Sequence, residues 1–222
     1  NFQFQLNPNH QLQLQVLDSR SASMEDMYGL GYDHSKVPLL YTVNWNGSFG
    51  GVFNTRWSYS IMSQAEGYQS HYIALGNELN LDKFNAFFDV MYMREGIDRE
   101  GIVTGIVGPK EDQGHQNDAE YLSFVMKAQY RISPKWNVFV KGMLENEGLS
   151  KASGVLEKGK YRTAYGYLAG IEYYPLQNSN LHFFLTYVGR HYSYTDRAKV
   201  YGNENYSTNR ISLGYIWQLP MF

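Results

Sequence analysis

Apolar and polar residues alternate with a period of two along most of the chain. In YLSFVMKAQYRI, residues 121–132, Leu122, Phe124 and Met126 alternate with a more polar set that includes Ser123 and Lys127. Alternation over this length predicts β-strands with two different faces. We predict about eleven strands, over residues 2–6, 11–19, 38–48, 55–65, 68–79, 84–95, 119–132, 136–148, 159–174, 181–195 and 206–222. Helical spacing is not sustained beyond about ten residues, so we predict no helix.

Two kinds of connection alternate between these strands. Short turns fall at 7–9, 48–51, 80–83, 133–135 and 175–180, and longer polar connections fall at 20–37, 95–118, 149–158 and 196–205. Tight periplasmic turns and long external loops alternate in this way in outer-membrane barrels. The fold class predicted is all-β, an antiparallel transmembrane β-barrel. The mean hydropathy of −0.46 fits, because alternation hides a lipid-facing surface in the average.

The strand count bears on how the chain is organised. Bacterial barrels normally have an even number of strands, with both termini in the periplasm. We therefore expect residues 1–222 to be a single β-barrel domain, the C-terminal portion of a barrel of about 16 or 18 strands with its upstream strands missing. No signal peptide is found at NFQFQL.

Aromatic residues lie near both ends of the apolar face. Trp and Tyr are enriched where a membrane meets water, so these side chains are predicted to lie at the lipid interface. They are Trp45, Trp57, Tyr130, Trp136, Tyr173 and Trp217 at the short-turn end, and Tyr92, Tyr161 and Tyr187 at the other end. The alternative is a soluble β-sandwich, which also alternates; strand length and the aromatic ends favour the barrel.

The opposite face is polar and is predicted to line a water-filled lumen. Its basic residues are Arg56, Lys127, Arg131, Lys141, Lys160, Arg162, Arg190 and Arg210. Inward positive charge attracts anions, which predicts an anion-preferring channel. An equally favoured reading is that these bases pair with acidic loop residues such as Glu25, Asp26, Glu111 and Asp112.

The chain closes on ISLGYIWQLPMF, in which Ile211, Leu213, Tyr215 and Trp217 share the apolar face. A terminal aromatic on such a strand resembles the signal that the barrel assembly machinery reads, so Phe222 is the predicted assembly signal. Phe222 is out of phase with this face, and Pro220 removes a ladder donor. Regular pairing is therefore expected to end near residue 219.

Other chemistry is weakly represented. The formal charge of −2 gives no reason to expect nucleic acid as a partner, and the absence of cysteine excludes thiolate metal sites. The histidines lack metal-binding spacing, so no metal, cofactor or enzymatic activity is expected. His191 and Ser193 could be neighbours in a strand, as in an outer-membrane hydrolase, but a polar rim is the favoured reading. The connection from Gly105 to Asp118 is predicted to be a solvated loop.

One stretch carries a family resemblance. GNELNLDKFNAFFDVMYMREGIDREGIVT, residues 76–104, preceded by WNGSFGGVFNTRWSYS, residues 45–60, resembles the phosphate-selective porin O and P family, especially its relatives in the Bacteroidetes. The resemblance implies a trimeric barrel with an arginine-lined, anion-selective lumen. It places no family arginine on a particular position, and Arg56 is the nearest to a motif residue.

These observations predict a porin of the bacterial outer membrane that lets small hydrophilic solutes or ions diffuse passively. Its expected partners are the lipid bilayer with lipopolysaccharide, the barrel assembly machinery, small anions or solutes, and two further copies in a homotrimer. The alternative is a non-conducting barrel that serves as an anchor or scaffold in a surface complex, with its lumen closed by a plug such as an inward-folded 20–37 loop.

Overall fold

The computed structural model describes residues 1–18, 39–63, 68–96, 98, 101–112, 117–176 and 181–218. Eleven β-strands make up most of this part of the chain. They are β1 Phe2–Asn7, β2 His10–Asp18, β3 Leu39–Phe49, β4 Phe53–Ser63, β5 Gln69–Asn80, β6 Phe84–Glu95, β7 Asp118–Ser133, β8 Trp136–Lys151, β9 Gly159–Tyr173, β10 Leu181–Tyr194 and β11 Tyr206–Trp217.

The strands form one sheet in sequence order from β1 to β11, and each is antiparallel to the next. This is the meander of an up-and-down barrel wall. The all-β prediction is confirmed, and the eleven predicted strands match the observed ones to within a few residues. The predicted end of pairing near residue 219 and the assembly signal Phe222 lie outside the described residues.

The expectation of no helix is wrong. Within the described residues, three single-turn helices lie in the long connections: α1 Thr104–Val107, α2 Pro109–Asp112 and α3 Asp196–Lys199. They escaped the periodicity argument because one turn is shorter than the window in which helical spacing can be recognised. None of the described helices is long and apolar enough to cross a membrane.

The pairing register separates two faces of the sheet. One row of paired residues runs from Phe4 through Trp57 and Phe124 to Tyr165, and we call its side the apolar face. Its large side chains remain exposed, at 53% for Trp57, 50% for Val140 and 79% for Leu213. A sheet that exposes such residues along most strands suits lipid as its surroundings. We call the opposite side the polar face.

The main buried apolar cluster lies against the polar face at the end of the long connections. The connection between β6 and β7 contributes Ile102, Val103, Ile106 and Val107, all buried. They pack with strand and loop residues that include Met93, Ala119, Leu149, Leu156, Tyr161 and Ala198, and Tyr72, Tyr121 and Tyr194 adjoin them. We call this group the inward cluster, because Tyr72, Met93, Tyr121 and Tyr194 all belong to the polar face by register.

The inward cluster contradicts the expectation of a solvated loop over Gly105–Asp118 at Ile106 and Val107, which are buried, whereas Gly105, Pro109 and Lys110 are exposed. The sequence GIVTGIVG, residues 101–108, places two Ile-Val pairs four residues apart, which gives one turn of helix an apolar side. Burying that side against the sheet removes it from water.

Polar contacts hold the connection in place. The buried carboxylate of Asp98 accepts backbone N–H groups from Ile102 at 2.6 Å, Val103 at 2.8 Å and Thr104 at 2.6 Å. Burial raises the pKa of Asp98, and these hydrogen bonds oppose the rise. Asn203, between α3 and β11, donates to the carbonyls of Ile106 at 2.7 Å and Ala198 at 3.0 Å. Two long connections are thereby joined into one unit.

Candidate functional site

Many charged side chains of the polar face lie in two adjacent rows of paired residues; Glu145 on β8 and Glu172 on β9 share this face but lie outside these rows. The Arg56 row runs from Gln11 through Asn46, Arg56, Gly76, Asp89, Val125, Met143 and Gly166 to Arg190. The Lys127 row runs from Asn54 through Glu78, Phe87, Lys127, Lys141, Leu168 and Val188 to Arg210. We call the two rows together the charged belt.

Lys127 and Lys141 are directly paired across β7 and β8. Directly paired residues have Cβ atoms about 4.5–5.5 Å apart, and like charges at such positions are destabilising. Lys127 places its Nζ 5.7 Å from the centroid of the Phe139 ring. A repulsive pair on a water-accessible face favours an anion between the two ammonium groups.

Arg190 and Arg210 lie on adjacent strands at the other end of the belt. Arg190 pairs with Thr208, and Arg210 pairs with Val188. The two arginines are therefore diagonal neighbours on the same face of the sheet. Both side chains are exposed. The four bases Lys127, Lys141, Arg190 and Arg210 thus occupy β7, β8, β10 and β11.

The acidic members of the belt, Glu78 and Asp89, lie on β5 and β6. Both are exposed, and within the described residues neither belongs to an ion pair. Acidic and basic residues of the belt are therefore separated. Its acids lie on β5 and β6, and its bases, apart from Arg56 on β4, lie on β7, β8, β10 and β11. The sequence pattern predicts the bases but not this division, because the division depends on which strands are neighbours.

The remaining predicted lumen bases lie outside the belt. Arg162 shares the polar face with Glu147, to which its Nη2 donates at 2.5 Å, and its guanidinium lies 5.6 Å from the Tyr192 ring centroid. Arg131 donates to the carbonyl of Asp82 at 2.5 Å, beside a short turn. The prediction that Lys160 lines the lumen does not agree with the register. Beyond the shift between β8 and β9, the exposed Lys160 pairs with Gly148, which pairs with Glu120 on the side of the apolar face.

The prediction that Tyr161 lies at the lipid interface is wrong. Its side chain is only 1% exposed and belongs to the inward cluster, and its hydroxyl donates to the carbonyl of Glu157 at 3.0 Å. The register shifts between Glu147 and Gly148, where β9 carries one extra residue. That irregularity breaks the alternation on which the prediction depended.

The other predicted interface aromatics belong to the apolar face by register. Trp45 pairs with Trp57, Tyr130 with Val138, Trp136 with Tyr173, Tyr92 with Leu122, Tyr187 with Ile211 and Trp217 with Leu181. With Tyr161 excluded, the apolar-face aromatics of β9 extend from Tyr165, which is exposed, to Tyr173, which is half-buried. Eight residues separate them, which is about 20 Å along the normal of a strand tilted by about 40°.

The hydrolase candidate gains no geometric support. His191 Nδ1 lies 2.7 Å from Ser207 Oγ, and the nearby Asp196 accepts Lys199 Nζ at 3.2 Å. Within the part of the chain that the structure describes, no group of three potential metal ligands comes together.

A cavity of about 950 Å³ lies beside the β2–β6 part of the charged belt. Its walls include Gln11, Asn46, Arg56, Gly76, Glu78, Phe87 and Asp89. Of these residues, the sequence pattern predicts Arg56 on the polar face but does not show which residues lie beside it. A hairpin register assigned from each short turn would have revealed the cross-strand rows.

Comparisons with known proteins agree with this architecture. The family model described as phosphate-selective porin O and P matches residues 1–219. The outer membrane channel DcaP of Acinetobacter baumannii is similar in structure, with a TM-score of 0.58 and 11% identity over 96% of this chain and 59% of that chain. OmpT of Vibrio cholerae, folded in vitro, has a TM-score of 0.50 and 8% identity over 96% of this chain and 86% of that chain.

The chain thus spans 59% of the length of DcaP. No curated protein matches its sequence significantly.

Proposed function

Because the chain belongs to the phosphate-selective porin O and P family, and is thereby a bacterial outer-membrane porin, we propose that it lets small hydrophilic solutes diffuse passively with a preference for anions. The observation that carries the preference is the direct pairing of Lys127 with Lys141 on the polar face. Repulsion between paired ammonium groups lowers stability, and an anion passing between them relieves it.

The charge balance along the belt supports the same proposal. Lys127, Lys141, Arg190 and Arg210 raise the local concentration of anions along β7–β11. Arg162 contributes less, because Glu147 compensates its charge. We also propose Arg131 as a lumen residue near the short-turn end; Lys160 is left out because its register places it on the side of the apolar face.

The membrane, the assembly machinery and the oligomeric state are also proposals. The exposed aromatics of the apolar face suit a lipid bilayer with lipopolysaccharide in its outer leaflet. We propose recognition of Phe222 by the barrel assembly machinery and assembly of three copies. A barrel of 16 or 18 strands, with residues 1–222 as its C-terminal portion, stays a prediction.

Reversal potentials of the full-length protein in a planar bilayer test the anion preference. In a KCl gradient the sign should indicate anion selectivity. Removing one charge about 5.5 Å from the ion path in water removes about 0.8 kcal/mol of attraction, or about three- to fourfold in local anion concentration at low salt. The double variant Lys127→Gln/Lys141→Gln should lower the anion-to-cation permeability ratio by up to about tenfold.

The control is Lys83→Gln, which removes a lysine from the short turn between β5 and β6. It should leave the permeability ratio within about twofold. Cation selectivity in the unmodified protein, or equal shifts in the control and the double variant, would contradict the proposed preference.

A second function, an anchor or scaffold without conductance, is favoured by one observation. The inward cluster covers part of the polar face at the long-connection end. The proposed plug, the 20–37 loop, lies outside the described residues. Absence of stepwise conductance in the same bilayer experiment would support this alternative.

A further inference from the structure

The cavity beside the charged belt combines one basic and two acidic side chains. Arg56 lines one wall, and Glu78 and Asp89 line another. Within the described residues both carboxylates lack an ion-pair partner, so the cavity carries more negative than positive charge. A simple anion suits the lysines of β7 and β8 better than this cavity.

The register keeps the opposite charges apart. Arg56, Gly76 and Asp89 occupy one row on β4, β5 and β6. Two strand spacings of about 4.8 Å therefore separate the backbones of Arg56 and Asp89 by about 10 Å. The glycine between them has no side chain, which leaves room for the Asp89 carboxylate above it.

Each charged group is oriented by a neighbour. A Cβ atom at Gly76 would lie 3.2 Å from Asp89 Oδ1, so the carboxylate leans over the glycine. On the other side, Arg56 Nε donates to Asn46 Oδ1 at 2.8 Å, and Asn46 Nδ2 donates to Gln11 Oε1 at 3.4 Å. Arg56 is thus held toward β3 while Asp89 reaches over β5, so the two charged groups also stay about two strand spacings, or about 10 Å, apart.

We propose that this cavity binds a short zwitterionic peptide, with its terminal carboxylate at Arg56 and its terminal ammonium at Asp89 and Glu78. An extended chain advances about 3.3–3.6 Å per residue, so about three residues span the 10 Å between the two walls. Side-chain amides donate and accept hydrogen bonds, so Asn46 and Gln11 can pair with peptide groups. A neutral sugar would leave all three charges uncompensated.

This inference rests on the proposed function in one respect: the cavity must face a lumen that is open to water, so that the peptide can reach it. Isothermal titration calorimetry on the full-length protein in detergent measures binding without requiring conductance. Trialanine is the probe; N-acetyl-trialanine lacks the ammonium, trialanine amide lacks the carboxylate, and sucrose represents neutral solutes. Trialanine should bind saturably and at least about tenfold more tightly than either capped peptide, and sucrose should give no saturable heat.

Variants assign each end of the peptide to its wall. Glu78→Gln/Asp89→Asn should abolish the difference between trialanine and its N-acetyl form and keep the difference from the amide. Arg56→Gln should produce the reverse pattern. Glu204→Gln and Lys83→Gln, which remove one acid and one base away from the cavity, should bind trialanine as the unmodified protein does.

Equal binding of the free and capped peptides, tighter binding of sucrose, or loss of binding in the controls would overturn the inference. Conductance without peptide binding would overturn this inference and leave the porin function intact. Peptide binding without conductance would overturn the channel function and leave the site intact.

Discussion

The buried carboxylate of Asp98 is the most informative single position for the inward cluster. It accepts three backbone N–H groups, from Ile102, Val103 and Thr104. In Asp98→Asn only one side-chain oxygen remains, so at most two of these bonds survive, and the new amide donor faces the third N–H. The shape of the side chain is nearly unchanged, which isolates the hydrogen bonding.

The magnitude follows from the donors left without an acceptor. A buried unsatisfied donor costs about 1–3 kcal/mol, and a bond to a charged acceptor contributes about 1.5–3 kcal/mol. We expect local opening of residues 101–107 to become easier by about 2 kcal/mol, which is about a 30-fold rise in the open population. The eleven-stranded sheet should remain folded, because Asp98 lies outside it.

Hydrogen exchange of the full-length protein in detergent measures this opening directly. Amides of residues 102–107 should exchange about 30-fold faster in Asp98→Asn, with strand amides unchanged. Asp196→Asn is the control, because Asp196 is fully exposed at the start of α3. Exchange in Asp98→Asn within about threefold of the unmodified protein would refute the account of how this segment is held.

Two further predictions concern packing. A Cβ atom at Gly189 would lie 2.1 Å from Tyr167 Cζ, so Gly189→Val should displace this ring from its hydrogen bond to Asn209. Thermal unfolding in detergent should show a loss of stability of about 1–3 kcal/mol. The control is Gly142→Ala, whose nearest contact would be 3.6 Å away and whose melting temperature should be almost unchanged. Tyr161→Ala should lower the free energy of unfolding by about 3–5 kcal/mol, because it leaves a cavity in the inward cluster. Tyr161→Phe should lower it by only about 1 kcal/mol, because it removes one hydrogen bond. Equal melting temperatures for these two variants would contradict burial of the ring.

The alternation of side chains sufficed to predict the strands, because a period of two is a local property of each segment. The β7–β8 hairpin shows this well: predicted as 119–132 and 136–148, it forms as Asp118–Ser133 and Trp136–Lys151. The two faces also follow from alternation once the strands are assigned. The basic residues of the belt share the polar face by register, and their role in the lumen stays a proposal.

What the sequence did not reveal depends on contacts between distant segments. The alternation of side chains in the sequence assigns Tyr161 to the apolar face, but one extra residue in β9 turns it toward the inward cluster. The GIVTGIVG segment resembles an ordinary loop until Leu149 and Tyr161 supply its apolar partners. The segregation of acids from bases requires knowing that β5 and β6 lie between β4 and β7.

The central claim is that the polar face of the sheet borders water and the apolar face borders lipid. Residues 1–222 contain no cysteine. Single cysteines introduced along β4 of the full-length protein, with any cysteine outside residues 1–222 replaced by serine, can be exposed to a membrane-impermeant thiol reagent in vesicles. Cysteines at Ser58 and Ser60 should react quickly and reduce conductance, whereas cysteines at Trp57 and Tyr59 should react at least about tenfold more slowly. Equal reactivity at all four positions, or faster reaction at Trp57 and Tyr59, would contradict the assignment of the two faces.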